Sequence, residues 1–277
     1  MSFDSFLREK QYLENVSPNT LRWYKHALKW LPTESPDEPS LKDMVIRMRE
    51  QGLKATGCNA ALRAINCYLH WTSQNHGKCG SGCKHPRVPK LKEPEQIMPT
   101  FSADQVKLLL GFRPTSDFER RLHLLVMILF DTGCRISEAL DIRGSDIDLD
   151  NMLLTLHGKG RKDRKVPYSF ELRKALVKYM DKNKGLLFLT ANGARWGRMG
   201  ALRAVKIHCQ HLGFEPPART LHAMRHTFAG NYIRKTGSLL HLQKMLGHTS
   251  MEMSRRYANL VTEDLQAIHP KASLLAA

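Results

Sequence analysis

The order of apolar and polar residues divides the chain into a helical first part, a proline-rich middle and a longer second part. Ser17-Pro18 reads as an N-cap followed by proline at the first helical position, and Leu21, Tyr24, Leu28 and Leu31 continue at helical spacing. Ser40 stands before Leu41, Met44, Val45 and Met48, with Gly52 as a stop. A further helix over residues 56–73 would bury Leu62, Ile65, Leu69 and Trp71. Residues 1–76 are therefore expected to form a small four-helix domain. On its last helix Thr56, Asn59 and Arg63 fall on one polar stripe, either a solvated face or a surface for a partner. From 77 to 100 the chain carries Pro86, Pro89, Pro94 and Pro99 with almost no apolar periodicity, the mark of a linker.

Beyond the linker, residues 101–277 predict a second domain. Ser102 caps a helix to Leu110, and a strongly apolar helix over 118–132 ends at Gly133, which puts Arg135 on the turn into the next helix. Residues 152–157 alternate as a strand, 158–164 are turn material, and 165–167 return as a second strand. Lys159 is thereby placed at a hairpin tip, among five cations in residues 159–165. Helices are expected at about 170–183, 194–212, 222–236, 239–246 and 250–259. The fold class is mainly α with a small antiparallel β-sheet.

Charge narrows the partner. The chain of 277 residues has a formal net charge of +17. Residues 1–95 hold 15 Lys and Arg against 10 Asp and Glu, and residues 96–277 hold 28 against 16. Both parts are positive, as in a protein that grips a polyanion from two sides, although a merely basic protein would show the same balance. The longest apolar run, Leu122 to Phe130, is interrupted by His123 and too short to span a bilayer, and Met1-Ser2-Phe3-Asp4 does not open a secretory signal. A cytoplasmic location is expected. Six cysteines in a chain of this size do not make a disulfide scaffold. Cys79 and Cys83, between His76 and His85, offer four zinc-type ligands at a poor spacing, and the cluster reads either as structural zinc or as a Gly/Lys-rich connector. No metal and no cofactor is assigned.

Four segments carry chemistry. They are Thr132-Gly133-Cys134-Arg135-Ile136-Ser137-Glu138, the basic hairpin at Lys159, His222-Ala223-Met224-Arg225-His226, and Leu246-Gly247-His248 with Tyr257 nine residues further on. In this order they resemble the tyrosine recombinase (phage integrase) family, across almost the whole second domain and more loosely across the first. Met224 stands where leucine is usual, and Met251-Glu252-Met253-Ser254 replaces a threonine-rich lead into the tyrosine. The resemblance implies a two-domain DNA clamp: a helical core-binding domain at 1–76, a linker at 77–100 and an α+β catalytic domain at 101–277. It implies a catalytic set of Arg135, Lys159, His222, Arg225, His248 and Tyr257. The architecture is similar to Xer-type recombinases without an arm-binding domain. Implied too are a 3′-phosphotyrosine intermediate, a Holliday junction, and a homotetramer on double-stranded DNA serving a mobile element or replicon. Lys54, Thr56, Asn59, Arg63, Arg161, Lys162 and Arg164 are the expected DNA contacts. A type IB topoisomerase and a non-catalytic DNA-binding regulator are the rival readings; the first lacks this pairing of domains, and the second would have lost one of the six groups.

The chemistry also follows from the side chains. A tyrosine with an unperturbed pKa of ~10 needs a base or neighbouring cations to attack at neutral pH. Arg135 and Arg225 each offer a planar fork of donors to phosphoryl oxygens that gain charge in the transition state. His248 can donate a further hydrogen bond, a flexible Lys159 suits protonation of the leaving 5′ oxygen, and His222 is the expected acceptor of the tyrosyl proton. Glu138 is expected to orient Arg135 or cap its helix, and His226 to support the Arg225 helix without taking part. Apolar positions after Tyr257, Leu265 and Ile268 among them, are expected to dock on a neighbouring protomer or fold back in cis.

Overall fold

The computed structural model describes residues 2–75, 87–94, 98–158, 163–180, 185–247 and 257. The chain forms two compact units, Met1–Gln96 and Ile97–Ala277.

In the first unit, α1 (Phe3–Tyr12), α2 (Pro18–Leu28), α3 (Glu38–Glu50) and α4 (Ala55–Asn75) surround one core. Each of the first three begins on a side-chain cap, from Ser2, Ser17 and Asp37. Asp37, not the expected Ser40, starts α3, because its carboxylate accepts from the Ser40 amide and Pro39 occupies the first turn. Phe6 is fully buried at the centre, with the rings of Tyr24 and Tyr68 edge-on at 5.1 and 5.3 Å.

The segment 87–94 is no loose connector. It lies extended on α4, where Asn66 donates to the Val88 carbonyl at 3.0 Å and accepts from the Val88 amide at 3.2 Å. Asn59 repeats the pattern with Leu91, at 2.9 and 2.8 Å. The spacing explains the fit: seven helical residues rise ~10.5 Å, and three extended residues cover about the same distance. Asn59 is thus 4% exposed and also donates to Glu93, which removes it from the polar stripe expected to face DNA. Lys54 and Arg63 stay exposed and Thr56 is half-buried.

In the second unit, α6 (Asp117–Thr132) is the central element. It starts on a capping box between Ser116 and Glu119 and buries Leu122, Leu124, Leu125, Val126, Ile128 and Leu129. Around it lie α5 (Ala103–Gly111), α7 (Ile136–Leu140), α8 (Phe170–Tyr179), α9 (Arg198–His211) and α10 (Thr220–Thr236), and α11 (Leu239–Leu246) packs on α10. A three-stranded antiparallel sheet has the order β1 (Ile147–Asp148), β2 (Leu153–Leu156), β3 (Arg164–Pro167). The pairing Leu154↔Val166 puts both side chains, at 1% and 0% exposure, on the core face. Three details depart from the sequence pattern, the first being that α8 ends at Tyr179, where Met180 turns extended, short of the expected 183. β1 is too short to leave a periodic signal, and residues 194–197 precede α9 because Leu189 and Arg195 form a bridge that seats Trp196 in the core. The helix expected at 250–259 lies outside the described residues apart from Tyr257, and so do the Cys79/Cys83 cluster and the tail after Tyr257.

Candidate active site

Gly133 ends α6 in the left-handed conformation, φ 62°, and a Cβ there would stand 2.1 Å from the Phe228 ring of α10. Only glycine lets the two helices meet this closely. Two residues on, Arg135 is the N-cap of α7, and the capping box it forms with Glu138 is also an ion pair. The Arg135 amide donates to Glu138 Oε2 at 2.8 Å while its Nη1 donates to Oε1 at 2.8 Å. Glu138 therefore does both things expected of it, capping and orienting.

Arg225 enters the same region from α10. It is 6% exposed and donates to the Gly133 carbonyl at 2.7 Å and the Leu246 carbonyl at 2.8 Å. These carbonyls belong to the C-terminal ends of α6 and α11, which lack intrahelical partners and carry partial negative charge, so they compensate a buried guanidinium. Burial, and after it the nearby Arg135 charge, lower the Arg225 pKa to about 10. Two guanidiniums held this near each other, on independent supports, make a site that a bound anion would stabilise. His222, one turn earlier on α10, has its pKa lowered by desolvation and then by Arg198 and Arg225, which favours the neutral imidazole.

Arg164, expected on DNA, is turned inward. Its side chain is 13% exposed. Nη1 and Nη2 donate to Glu138 Oε1 and Oε2 at 3.0 and 2.8 Å, and Nε donates to the Met245 carbonyl at 2.9 Å. A guanidinium at the first residue of β3 thus fastens the sheet to α7 and to the end of α11, and it is not placed to contact a duplex. The Glu138 carboxyl, which burial alone would raise, is held at about 2, chiefly by Arg164 and then by Arg135.

Tyr257 is 3% exposed and packs with Phe228, Ile233, Leu242 and Leu246. Its hydroxyl lies 2.8 Å from Nδ1 of His226. The sequence pattern gives His226 a supporting role, and the structure sets it against the Tyr257 hydroxyl. The signal that marks it is its place four residues after His222, on the same face of α10. Of the six expected catalytic residues the structure describes Arg135, His222, Arg225 and Tyr257; Lys159 and His248, with Arg161 and Lys162, lie outside the described residues. In the first unit a groove of about 950 Å³ between α4 and the 87–90 segment is lined in part by Arg63, His70, Arg87 and Lys90. Among the described residues no three His, Cys, Asp or Glu side chains gather as metal ligands, and no helix is long and apolar enough to cross a membrane.

Known proteins are similar to this chain in sequence and in fold. The model of the phage integrase family matches residues 99–263, more than half of the chain. The chain is similar to the tyrosine recombinase XerA of Thermococcus kodakarensis, 26% identical over 273 residues that cover 95% of this chain and 92% of that one. It is also similar to XerC of Pseudomonas fluorescens, 24% identical over 295 residues, covering 97% and 96%. Among solved structures, the Tn1549 transposon integrase in complex with transposon right end DNA superposes with a TM-score of 0.76 at 21% identity, covering 94% of this chain and 97% of that one. The XerH recombinase bound to palindromic difH substrate gives 0.74 at 20% identity, covering 99% and 84%. The chain belongs to the phage integrase family and is a site-specific recombinase of the tyrosine class.

Proposed function

We propose that this recombinase cuts and rejoins double-stranded DNA at defined sites through a covalent 3′-phosphotyrosine on Tyr257. Tyr257 Oη bonds to phosphorus as the 5′ oxygen leaves. Arg135 and Arg225 hold the non-bridging oxygens, where negative charge accumulates. His222 and His248 donate hydrogen bonds to the same phosphate, and Lys159, carried between β2 and β3, protonates the departing 5′ oxygen. The tyrosyl proton passes to His226, whose Nδ1 is already at hydrogen-bond distance, rather than to His222. A 5′-hydroxyl from a second duplex then attacks the phosphotyrosine, releasing Tyr257 and joining the strands. Repetition on the other strand pair passes through a Holliday junction, which calls for four protomers on two sites. Arginines supply the charge stabilisation that a metal supplies in other phosphoryl transfers, so no cofactor is required.

The observation that carries this reading is the geometry at the end of α6: the Arg225 guanidinium donates to the Gly133 carbonyl at 2.7 Å, two residues before Arg135, which starts α7. DNA is the anion proposed for it, with Lys54, Thr56, Arg63, Arg161 and Lys162 as further contacts and the groove beside Arg63 as a phosphate-following surface in the first unit. The DNA-bound state of the solved relatives supports the same partner. The domain division at 1–76, 77–100 and 101–277 is kept as part of the proposal, with 87–94 fastened to the first unit. The reaction is placed in the cytoplasm, with the tail beyond Tyr257 docking on a neighbouring protomer.

Tyr257→Phe is the direct test. Incubated with nicked suicide DNA, the unaltered protein should give an SDS-stable protein–DNA adduct, and the phenylalanine variant should bind the DNA without forming one. An adduct of undiminished yield from the variant would remove Tyr257 as nucleophile.

A further inference from the structure

Arg135 cannot be treated as a lone cation. Its guanidinium is paired with Glu138, and a carboxylate at 2.8 Å cancels much of the charge it offers to a third group. Glu138 has a second cation. Arg164 places both terminal nitrogens on the two carboxylate oxygens, a two-pronged contact stronger than the single Arg135 Nη1 bond. The three side chains together carry one net positive charge instead of none.

Arg164 is also held in place independently of Glu138. Its Nε bond to Met245 fixes the guanidinium against the end of α11. There a Cβ on residue 247 would lie 3.0 to 3.1 Å from its Cδ, Nε and Nη1, so Gly247, at φ 63°, leaves room for this arginine. The glycine of the Leu246-Gly247-His248 segment therefore serves two ends, closing α11 and admitting Arg164.

We propose that Arg164 is a positioning residue for strand cleavage: as the counter-cation of Glu138 it leaves Arg135 positively charged toward the scissile phosphate. It acts through Glu138 and does not touch DNA. The inference rests on the reading of Arg135 as a phosphate ligand.

The test compares Arg164→Met, Arg164→Lys, Glu138→Gln and the Arg164→Met/Glu138→Gln double variant in single-turnover cleavage of nicked suicide DNA, with binding measured separately. Removing a preorganised charge contribution typically slows such a step ~10²-fold, and Arg164→Met should show a loss of that order with DNA affinity little changed. The double variant removes the carboxylate charge as well and should recover most of the rate, which loss of a merely structural contact would not allow. Arg164→Lys keeps the charge without the fork and should fall between. A substrate with a 5′-bridging phosphorothiolate should rescue Lys159→Ala but not Arg164→Met, because sulfur relieves only the leaving group. Arg164→Met cleaving at the unaltered rate, or a double variant no faster than the single one, overturns the proposal. If Arg164→Met does not fold, the lysine variant decides: cleavage well above background, below or at the unaltered rate, supports the charge role, and cleavage at background overturns it. Adduct formation by Tyr257→Phe would instead overturn the underlying reading, leaving the two failures distinct.

Discussion

The hydroxyl of Tyr257 and Nδ1 of His226 stand 2.8 Å apart, beside an apolar cluster that includes Phe228, Ile233, Leu242 and Leu246. A phenol with so little exposure needs a polar partner, since an unsatisfied buried hydroxyl costs ~1–3 kcal/mol. With the imidazole proton on Nε2, Nδ1 accepts from the hydroxyl and is ready to take its proton. His226→Ala should therefore slow adduct formation ~10²-fold, with part of the rate restored by added imidazole. Cleavage at the unaltered rate by His226→Ala would return proton acceptance to His222.

Acid should loosen the second unit through Glu138. Its folded pKa, about 2, lies below the unfolded carboxylate value, so its contribution is fully present above ~pH 5 and is lost as the pH falls through the folded value. The shift corresponds to roughly 3 kcal/mol. Denaturant unfolding at pH 6 and pH 3 should show a smaller loss for Glu138→Gln than for the unaltered chain. Equal losses would mean that the Arg135–Glu138–Arg164 group does not stabilise the fold.

Asn59 and Arg63 should separate stability from DNA affinity. Asn59→Ala removes the clamp on Leu91 and should destabilise the first unit by ~1–3 kcal/mol, read as a lower Tm, while the salt dependence of DNA binding stays the same. Arg63→Ala should leave Tm in place and reduce the slope of log affinity against log salt by about 1. The reverse pattern would put Asn59 back on the DNA face.

Gly133→Ala tests the meeting of α6 and α10. The left-handed backbone alone disfavours a side chain by ~1–2 kcal/mol, and the Phe228 ring occupies the space a Cβ would need. Loss of soluble folded protein or a large fall in Tm is expected, with the Arg225 bond to the Gly133 carbonyl disturbed as well. An alanine variant that melts like the unaltered protein would contradict this packing.

Cleavage and strand joining should survive EDTA and need no nucleotide, because Arg135, Arg225 and Lys159 carry the charge-stabilising and protonating roles. Activity that vanishes with chelator and returns with zinc, together with poor folding of Cys79→Ser/Cys83→Ser, would make that cluster a structural metal site.

The sequence by itself determined the elements and the chemical inventory. Caps such as Ser17, Ser102 and Ser116 and the stop at Gly133 mark helix ends because they satisfy backbone groups locally, and the apolar run of α6 announces a core helix without reference to any neighbour. The motifs around Arg135, His222 and Arg225 were legible for the same reason, each lying within one turn or one helix. Tertiary structure decided which polar groups face one another. Asn59 and Arg164 look like surface residues in a linear reading. Asn59 is buried because an extended segment some thirty residues later matches the rise of α4, and Arg164 because Glu138 and the end of α11 present acceptors at the reach of its fork. His226 met Tyr257 for a like reason: the pair is 31 positions apart, and only the folding of α11 against α10 shapes the pocket that holds the phenol. Burial of a polar side chain depends on a partner distant in the chain, and helical or strand periodicity carries no information about where that partner lies.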